Sequence, residues 1–228
     1  MKRLLERYGL PDAAGSKFER LLAALVAEPD PPTTVREPAE AIDVHVADSI
    51  AALELPQLRQ ARALADMGSG AGFPGLVLAV ALPHTRVDLI ESSHRKCEVI
   101  ERLAAAAEIS NARAVPARVE EWARGEGREA YDLVTARALA PLAVLAEYGA
   151  PLLQAGGALV AWKGGRDADE EQAGEVAARE VGLDRGVVVP VTPYDGSRNR
   201  HLHLYLKVRP TPDRFPRRPG MAAKRPLG

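Results

Sequence analysis

The sequence predicts an α/β fold: a mostly parallel sheet wound on both faces, closed by an antiparallel last strand and preceded by a helical cap. Three observations predict it. Short apolar runs alternate with stretches of helical length between residues 63 and 181. The last two runs, 186–191 and 201–208, have no long helix between them and are expected to pair antiparallel. The first run empties into a glycine loop, Gly68-Ser69-Gly70-Ala71-Gly72-Phe73-Pro74-Gly75, the strand-to-helix turn at which such sheets bind ligands. With 228 residues and 46% apolar content, one domain with an appended segment fits better than two full domains.

The elements follow in order. Residues 2–9 and 16–28 have helical spacing, with Phe18, Leu21, Leu22, Leu25 and Val26 on one face. Pro29-Asp30-Pro31-Pro32 stops the second helix, because consecutive prolines remove donors and force extended backbone. Between Pro38 and Leu55 the apolar residues Ile42, Val46, Ile50, Leu53 and Leu55 recur every three or four positions, predicting a helix on which His45 and Asp48 share a face. Residues 1–55 therefore form the cap. The domain proper, 56–209, holds strand 63–67, a helix through Leu76 to Leu82, strand 86–91, helix 94–107, a short strand near 112–116, strand 131–135, helix 140–153, strand 157–162, helix 167–181 and the final pair. Residues 210–228 are a basic tail.

Composition narrows the function classes. A lone cysteine, Cys97, excludes an internal disulfide and a cysteine-rich zinc site, and no metal is expected. No N-terminal apolar run is long enough for a signal peptide or a membrane span, so a soluble, cytoplasmic protein is expected, without a membrane partner. The net charge of −1 hides an asymmetry: residues 198–228 contain nine Lys or Arg and one acid, Asp213, giving +8 there and −9 on the rest. Such a segment is the electrostatic footprint expected for a phosphate backbone, or else a solvated tail.

The glycine loop carries the chemistry. Glycines at 68, 70 and 72 allow positive φ and a close approach of backbone to ligand. Pro74 suits the first turn of the next helix, whose free N–H groups are expected to face the loop. The run Val87-Asp88-Leu89-Ile90-Glu91 ends in an acid placed to accept hydrogen bonds from two ribose hydroxyls, which points to a ligand containing adenosine. Phe73 stands where a dinucleotide fingerprint would need glycine, so a nicotinamide oxidoreductase is disfavoured. The G-x-G-x-G form is similar to motif I of class I methyltransferases that use S-adenosylmethionine.

Further along, the chain resembles one family, RsmG or GidB. The matching stretches are His45-Val46-Ala47-Asp48-Ser49, Asp66 to Gly75, Arg118-Val119-Glu120-Glu121, Ala136-Arg137-Ala138, Lys163-Gly164, Arg200-His201-Leu202 and Phe215 to Leu227. Each is weak alone; the ordered set is specific. The resemblance implies a Rossmann-like class I methyltransferase with a mixed seven-stranded sheet. Its expected cofactor is S-adenosyl-L-methionine, its substrate N7 of a guanine in 16S ribosomal RNA and its partner that RNA or the small ribosomal subunit; a monomer is expected. It also implies that Gly68, Phe73, Val119, Glu120 and Arg137 contact the cofactor, with Glu91 and Ser92 beside the ribose. Two departures concern the RNA-facing cap. Val44 stands where the family has arginine, and the Trp and Asn-Leu-Thr signatures are missing around residues 24–34.

Guanine N7 already carries an in-plane lone pair, so the attack needs no general base and positioning is expected to dominate. A donor such as Arg137, Lys163, Arg200 or His201 is expected to orient the base through its acceptors and stabilise the charge it gains. Each has a plainer reading. His201 and His45 suit satisfied structural hydrogen bonds, Lys163 a phosphate contact and Trp162 the core; Arg200 and the tail arginines suit RNA phosphates. Two alternatives remain: a small-molecule methyltransferase of the same fold, which an aromatic content of 4% and the basic tail disfavour, and a ribosome-binding protein that has kept the fold without catalysis.

Overall fold

Seven strands form one twisted sheet in the order β3-β2-β1-β4-β5-β7-β6 in the computed structural model, which describes residues 1–33, 35 and 37–228. The chain enters through helices α1 (Lys2–Tyr8), α2 (Asp12–Ala27) and α3 (Pro38–Ala41), a π-helical turn (Ile42–Ala47), α4 (Asp48–Ile50), a 3-10 turn (Ala51–Glu54) and α5 (Pro56–Gln60). The sheet region runs β1 (Ala63–Met67), α6 (Gly75–Ala81), β2 (Arg86–Glu91), α7 (His94–Ala106), β3 (Ala112–Pro116), α8 (Val119–Trp122), β4 (Tyr131–Arg137), α9 (Leu142–Gly149), β5 (Leu153–Lys163), α10 (Ala168–Val181), β6 (Val187–Pro190) and β7 (His201–Leu206), before α11 (Met221–Lys224). Strands β1 to β5 are mutually parallel, and β7 inserts antiparallel between β5 and β6. The reversed last strand is as the sequence predicts.

Alternation along the strands builds two cores. Leu64, Val87, Leu89 and Leu133 face one way, against apolar residues of α1, α2, α6 and α7; Ala65, Met67, Ile90 and Val134 face the other, against α9 and α10. The cap is thus continuous with the first core: Phe18, Leu21 and Ile50 are fully buried in it.

Three differences from the sequence reading bear on function. The helix expected over 38–55 is instead a chain of short α, π and 3-10 turns. Ser49 Oγ donates to the His45 carbonyl at 2.5 Å, supplying an extra partner to a backbone group inside the widened turn. His45 and Asp48, expected on one face, consequently face different cavities. Second, β4 continues to Arg137, so that residue ends the strand and does not begin the loop. Third, the basic C-terminal residues do not all face solvent. Lys207 is buried and donates to the Ala150 carbonyl at 2.5 Å, and burial lowers its pKa to about 8. Phe215 and Ala222 are buried in the second core.

Candidate active site

The carboxyl ends of β1, β2, β3 and β4 converge on the glycine loop. Gly68, Gly70 and Gly72 take φ of 62°, 58° and 91°. At Gly68 the lack of a side chain also makes room, since a Cβ there would lie 2.5 Å from Leu139 Cδ1. Asp66, fully buried at the end of β1, braces the loop from below. Its Oδ2 accepts the Gly75 N–H at 3.1 Å and its Oδ1 accepts the Thr135 hydroxyl at 2.8 Å. Burial raises its pKa to about 6, with those hydrogen bonds pulling the other way. The first amide of α6, expected to be free for a ligand, is therefore held by Asp66.

Above the loop lies a cavity of about 500 Å³. All seven residues named from sequence as cofactor contacts, Gly68, Phe73, Glu91, Ser92, Val119, Glu120 and Arg137, line it. Two buried carboxylates shape its wall. Glu91 Oε1 accepts the Ser93 N–H at 2.9 Å and Oε2 accepts the Gly70 N–H at 3.1 Å. Glu120 Oε1 accepts the Gly220 N–H at 2.8 Å. Each carboxylate keeps further lone pairs. The cap contributes Thr33 and His45, whose ring stacks on Phe73 with centroids 4.4 Å apart and bonds Thr33 Oγ1 at 3.1 Å. Burial, reinforced by the Arg137 charge, lowers the His45 pKa to about 4, so the ring is neutral near pH 7.

Arg137 and Ala138 are also the wall of a second cavity, of about 210 Å³, lined as well by Asp48, Trp162, Lys163, Arg200 and His201. The four residues named for orienting the substrate thus meet in one place. Arg137, Lys163 and His201 are hydrogen-bonded, and Arg200 faces a counter-charge. Arg137 Nη1 donates to Asp48 Oδ2 and to the Val44 carbonyl, both at 2.9 Å. Lys163 Nζ donates to Glu170 Oε1 at 2.5 Å and to the Ala140 carbonyl at 3.1 Å. Arg200 Nε lies 3.6 Å from Asp48 Oδ1, too far for a good hydrogen bond, and is buried without a hydrogen-bond partner among the described residues. His201 Nδ1 is 2.8 Å from the Gly164 carbonyl, which can only accept, so Nδ1 carries a proton. Trp162, read as core, is buried and donates Nε1–H to the Asp48 carbonyl at 2.9 Å.

Sequence reasoning missed Asp48 as a site residue, although it shares a matched stretch with His45. Asp48 lies 89 residues from Arg137, so no local pattern signals the pairing. Tyr148, also missed, lies beside Glu120 on the first cavity, and its phenol is raised to about 12 by burial and then by the Glu120 charge. Among the described residues no three His, Cys, Asp or Glu side chains gather as metal ligands, and no helix is long and apolar enough to cross a membrane.

The first cavity fits an adenosine-containing ligand. Its backbone cradle around Gly70 is open, with nothing closer to a Cβ there than the Gly68 carbonyl at 3.9 Å, and Glu91 and Glu120 offer acceptors at two separate points. Comparison with known proteins agrees. The family model GidB, described as rRNA small subunit methyltransferase G, matches residues 31–196. Ribosomal RNA small subunit methyltransferase G of Rubrobacter xylanophilus is 44% identical over 196 residues, covering 84% of this chain and 75% of its own. The protein of that name from Chloroflexus aggregans is 38% identical over 215 residues, covering 93% and 90%. Among solved structures, a SAM-dependent O-methyltransferase from Thermotoga maritima superposes with a TM-score of 0.59 at 14% identity, covering 85% of this chain and 73% of that one, a likeness of fold alone.

Proposed function

We propose, from the premise that the chain belongs to the GidB family of rRNA small subunit methyltransferases, that it methylates N7 of one guanine in 16S ribosomal RNA. It is an S-adenosylmethionine-dependent methyltransferase of the class I fold. The observation that carries the reading is the pair of cavities meeting at Arg137 and Ala138. One suits the cofactor and the other a planar base, so a methyl group held at the shared wall faces both.

Bound S-adenosylmethionine supplies an electrophilic methyl group on a sulfonium. We assign Gly68, Phe73 and Arg137 to its methionine end, Glu91 and Ser92 to the ribose, and Val119 and Glu120 to the adenine. In the second cavity the fixed donors of Arg137, Arg200 and Lys163 suit guanine O6 and the flanking phosphates. The charge the base gains is positive, so these cations oppose it, contrary to the expectation from sequence. Asp48 is the group that offsets it, and its ion pairs hold the arginines in place. No proton has to leave N7, and none of the four residues has to act as a base. Their task is alignment, which supplies up to roughly 7–11 kcal/mol of a displacement barrier in ideal cases. We read the working unit as a monomer, and the cytoplasm as where its substrate would be met. The exposed Arg218, Lys224 and Arg225 suit the RNA backbone.

Purified protein incubated with labelled cofactor and with either naked 16S RNA or isolated small subunits is expected to label one guanine. Labelling of neither substrate overturns the proposal, and labelling of free metabolites in its place supports the small-molecule alternative.

A further inference from the structure

The C-terminal segment, basic enough to read as an RNA arm, is fastened to the wall of the cofactor cavity. Arg217 grips Glu147 of α9: its Nε donates to Oε1 at 2.9 Å and to Oε2 at 3.0 Å, its Nη2 to Oε2 at 2.5 Å and its own backbone N–H to Oε1 at 3.0 Å. Glu147 is buried, with its side chain 1% exposed. Arg217 Nη2 also donates to the Arg225 carbonyl at 2.8 Å, closing the segment on itself. From the other side, Arg124 donates to the Pro216 carbonyl at 2.9 Å and Arg128 to the Phe215 carbonyl at 3.2 Å. Phe215 and Ala222 anchor it in the core. Between these anchors Gly220, at φ 78°, presents its N–H to Glu120. Glu120 is 4% exposed and lines the cavity beside Tyr148, the neighbour of Glu147 in α9.

We propose that residues 214–222 are a strap that positions the Glu120 carboxylate, with Arg217–Glu147 as its clasp, and that this strap sets the site's preference for a 6-amino purine. The inference rests on the assignment of the adenine to Val119 and Glu120. A carboxylate held by the Gly220 amide through Oε1 turns a fixed acceptor toward the base. It takes a hydrogen bond from a 6-amino group and repels the oxygen of a 6-oxo purine. Arg217 is a positioning residue: it acts on Glu120 through the backbone at Gly220. The long sequence gap explains why the tail reads from charge alone as something else.

The test compares S-adenosylhomocysteine with S-inosylhomocysteine by calorimetry. The intact protein is expected to prefer the amino form by about 100-fold. Arg217→Ala is expected to cut that preference to about tenfold or less, with the affinity for the inosine form changed less than about threefold. Arg217→Ala with Glu147→Gln spares the protein a buried unpaired carboxylate and serves if the single variant unfolds. Equal weakening of both ligands, or an unchanged preference in the folded variant, overturns the strap. No preference in the intact protein overturns the adenine assignment instead. A reading that needs no variant is exchange of the Gly220 amide, which S-adenosylhomocysteine is expected to slow more than S-inosylhomocysteine does, because coupling between sites is reciprocal. Equal protection by both contradicts the proposal.

Discussion

The two adjoining cavities are built on opposite plans. The larger is walled by backbone and by carboxylates that amides hold in place: Glu91 by Gly70 and Ser93, Glu120 by Gly220. The smaller is walled by cations that carboxylates hold in place: Arg137 and Arg200 around Asp48, Lys163 on Glu170. Fixed acceptors suit a ligand rich in hydroxyl and amino donors, and fixed donors suit a base edge and phosphates rich in acceptors. In both plans the walls are held before a ligand arrives, which favours alignment of the two reactants. The contrast also separates the kinds of damage: a fault in the first should appear in cofactor affinity, and a fault in the second in turnover on RNA.

The largest expected effect is at the loop. Gly68→Val forces a branched side chain into positive φ and against Leu139, and cofactor affinity measured by calorimetry should fall by about 100-fold or more. Arg137→Ala strikes the shared wall. It leaves buried Asp48 with only the looser Arg200, so denaturant midpoints should report a loss of about 3 kcal/mol, and RNA methylation should disappear. Asp48→Asn sharpens the comparison further. Turnover should drop by about tenfold or more while the cofactor Kd stays within about twofold; a matching loss in Kd would mean that the two cavities are not functionally separate.

A smaller effect divides the buried groups by pH. His45 keeps its stabilising neutrality above its unfolded value of 6.5 and loses it as pH falls toward about 4, so it makes acid destabilising. Asp66 has the opposite sign: its burial cost is present above about 6 and is relieved as pH falls toward 3.8. Between pH 7 and 4 these two effects nearly offset, so as pH falls His45→Phe should gain stability relative to the intact protein and Asp66→Asn should lose it, each by no more than about 3 kcal/mol over the range. Smallest of all, alanine at Arg218, Lys224 or Arg225 should weaken RNA binding at low salt and lower the salt slope by about 0.7 each. Unchanged slopes would remove those residues from the RNA interface.

Legibility in the sequence follows the same division. The larger cavity's wall comes mainly from short stretches that end strands, and a strand, a glycine turn and a terminal acid are local signals; Gly68 and Glu91 could be named from them. Phe73, Ser92, Val119, Glu120 and Arg137 needed the ordered family motifs. The smaller cavity depends on pairing across the chain, and no local pattern shows that Asp48 meets Arg137, 89 residues away. For the same reason the Gly220 amide at Glu120, across 100 residues, was invisible, and Arg217 was counted with the free charges. The sheet and its reversed strand were legible because alternation and loop length are local. The π-helical turn at Ile42–Ala47 was not, since apolar spacing alone does not distinguish it from an α-helix.

The most direct test of the central claim is a map of N7-methylguanine in 16S ribosomal RNA from cells with the protein, without it, and with the Gly68→Val variant in its place. One guanine should carry the modification with the intact protein and lack it in the other two. A modification that persists without the protein, or one that Gly68→Val restores in full, would contradict the account.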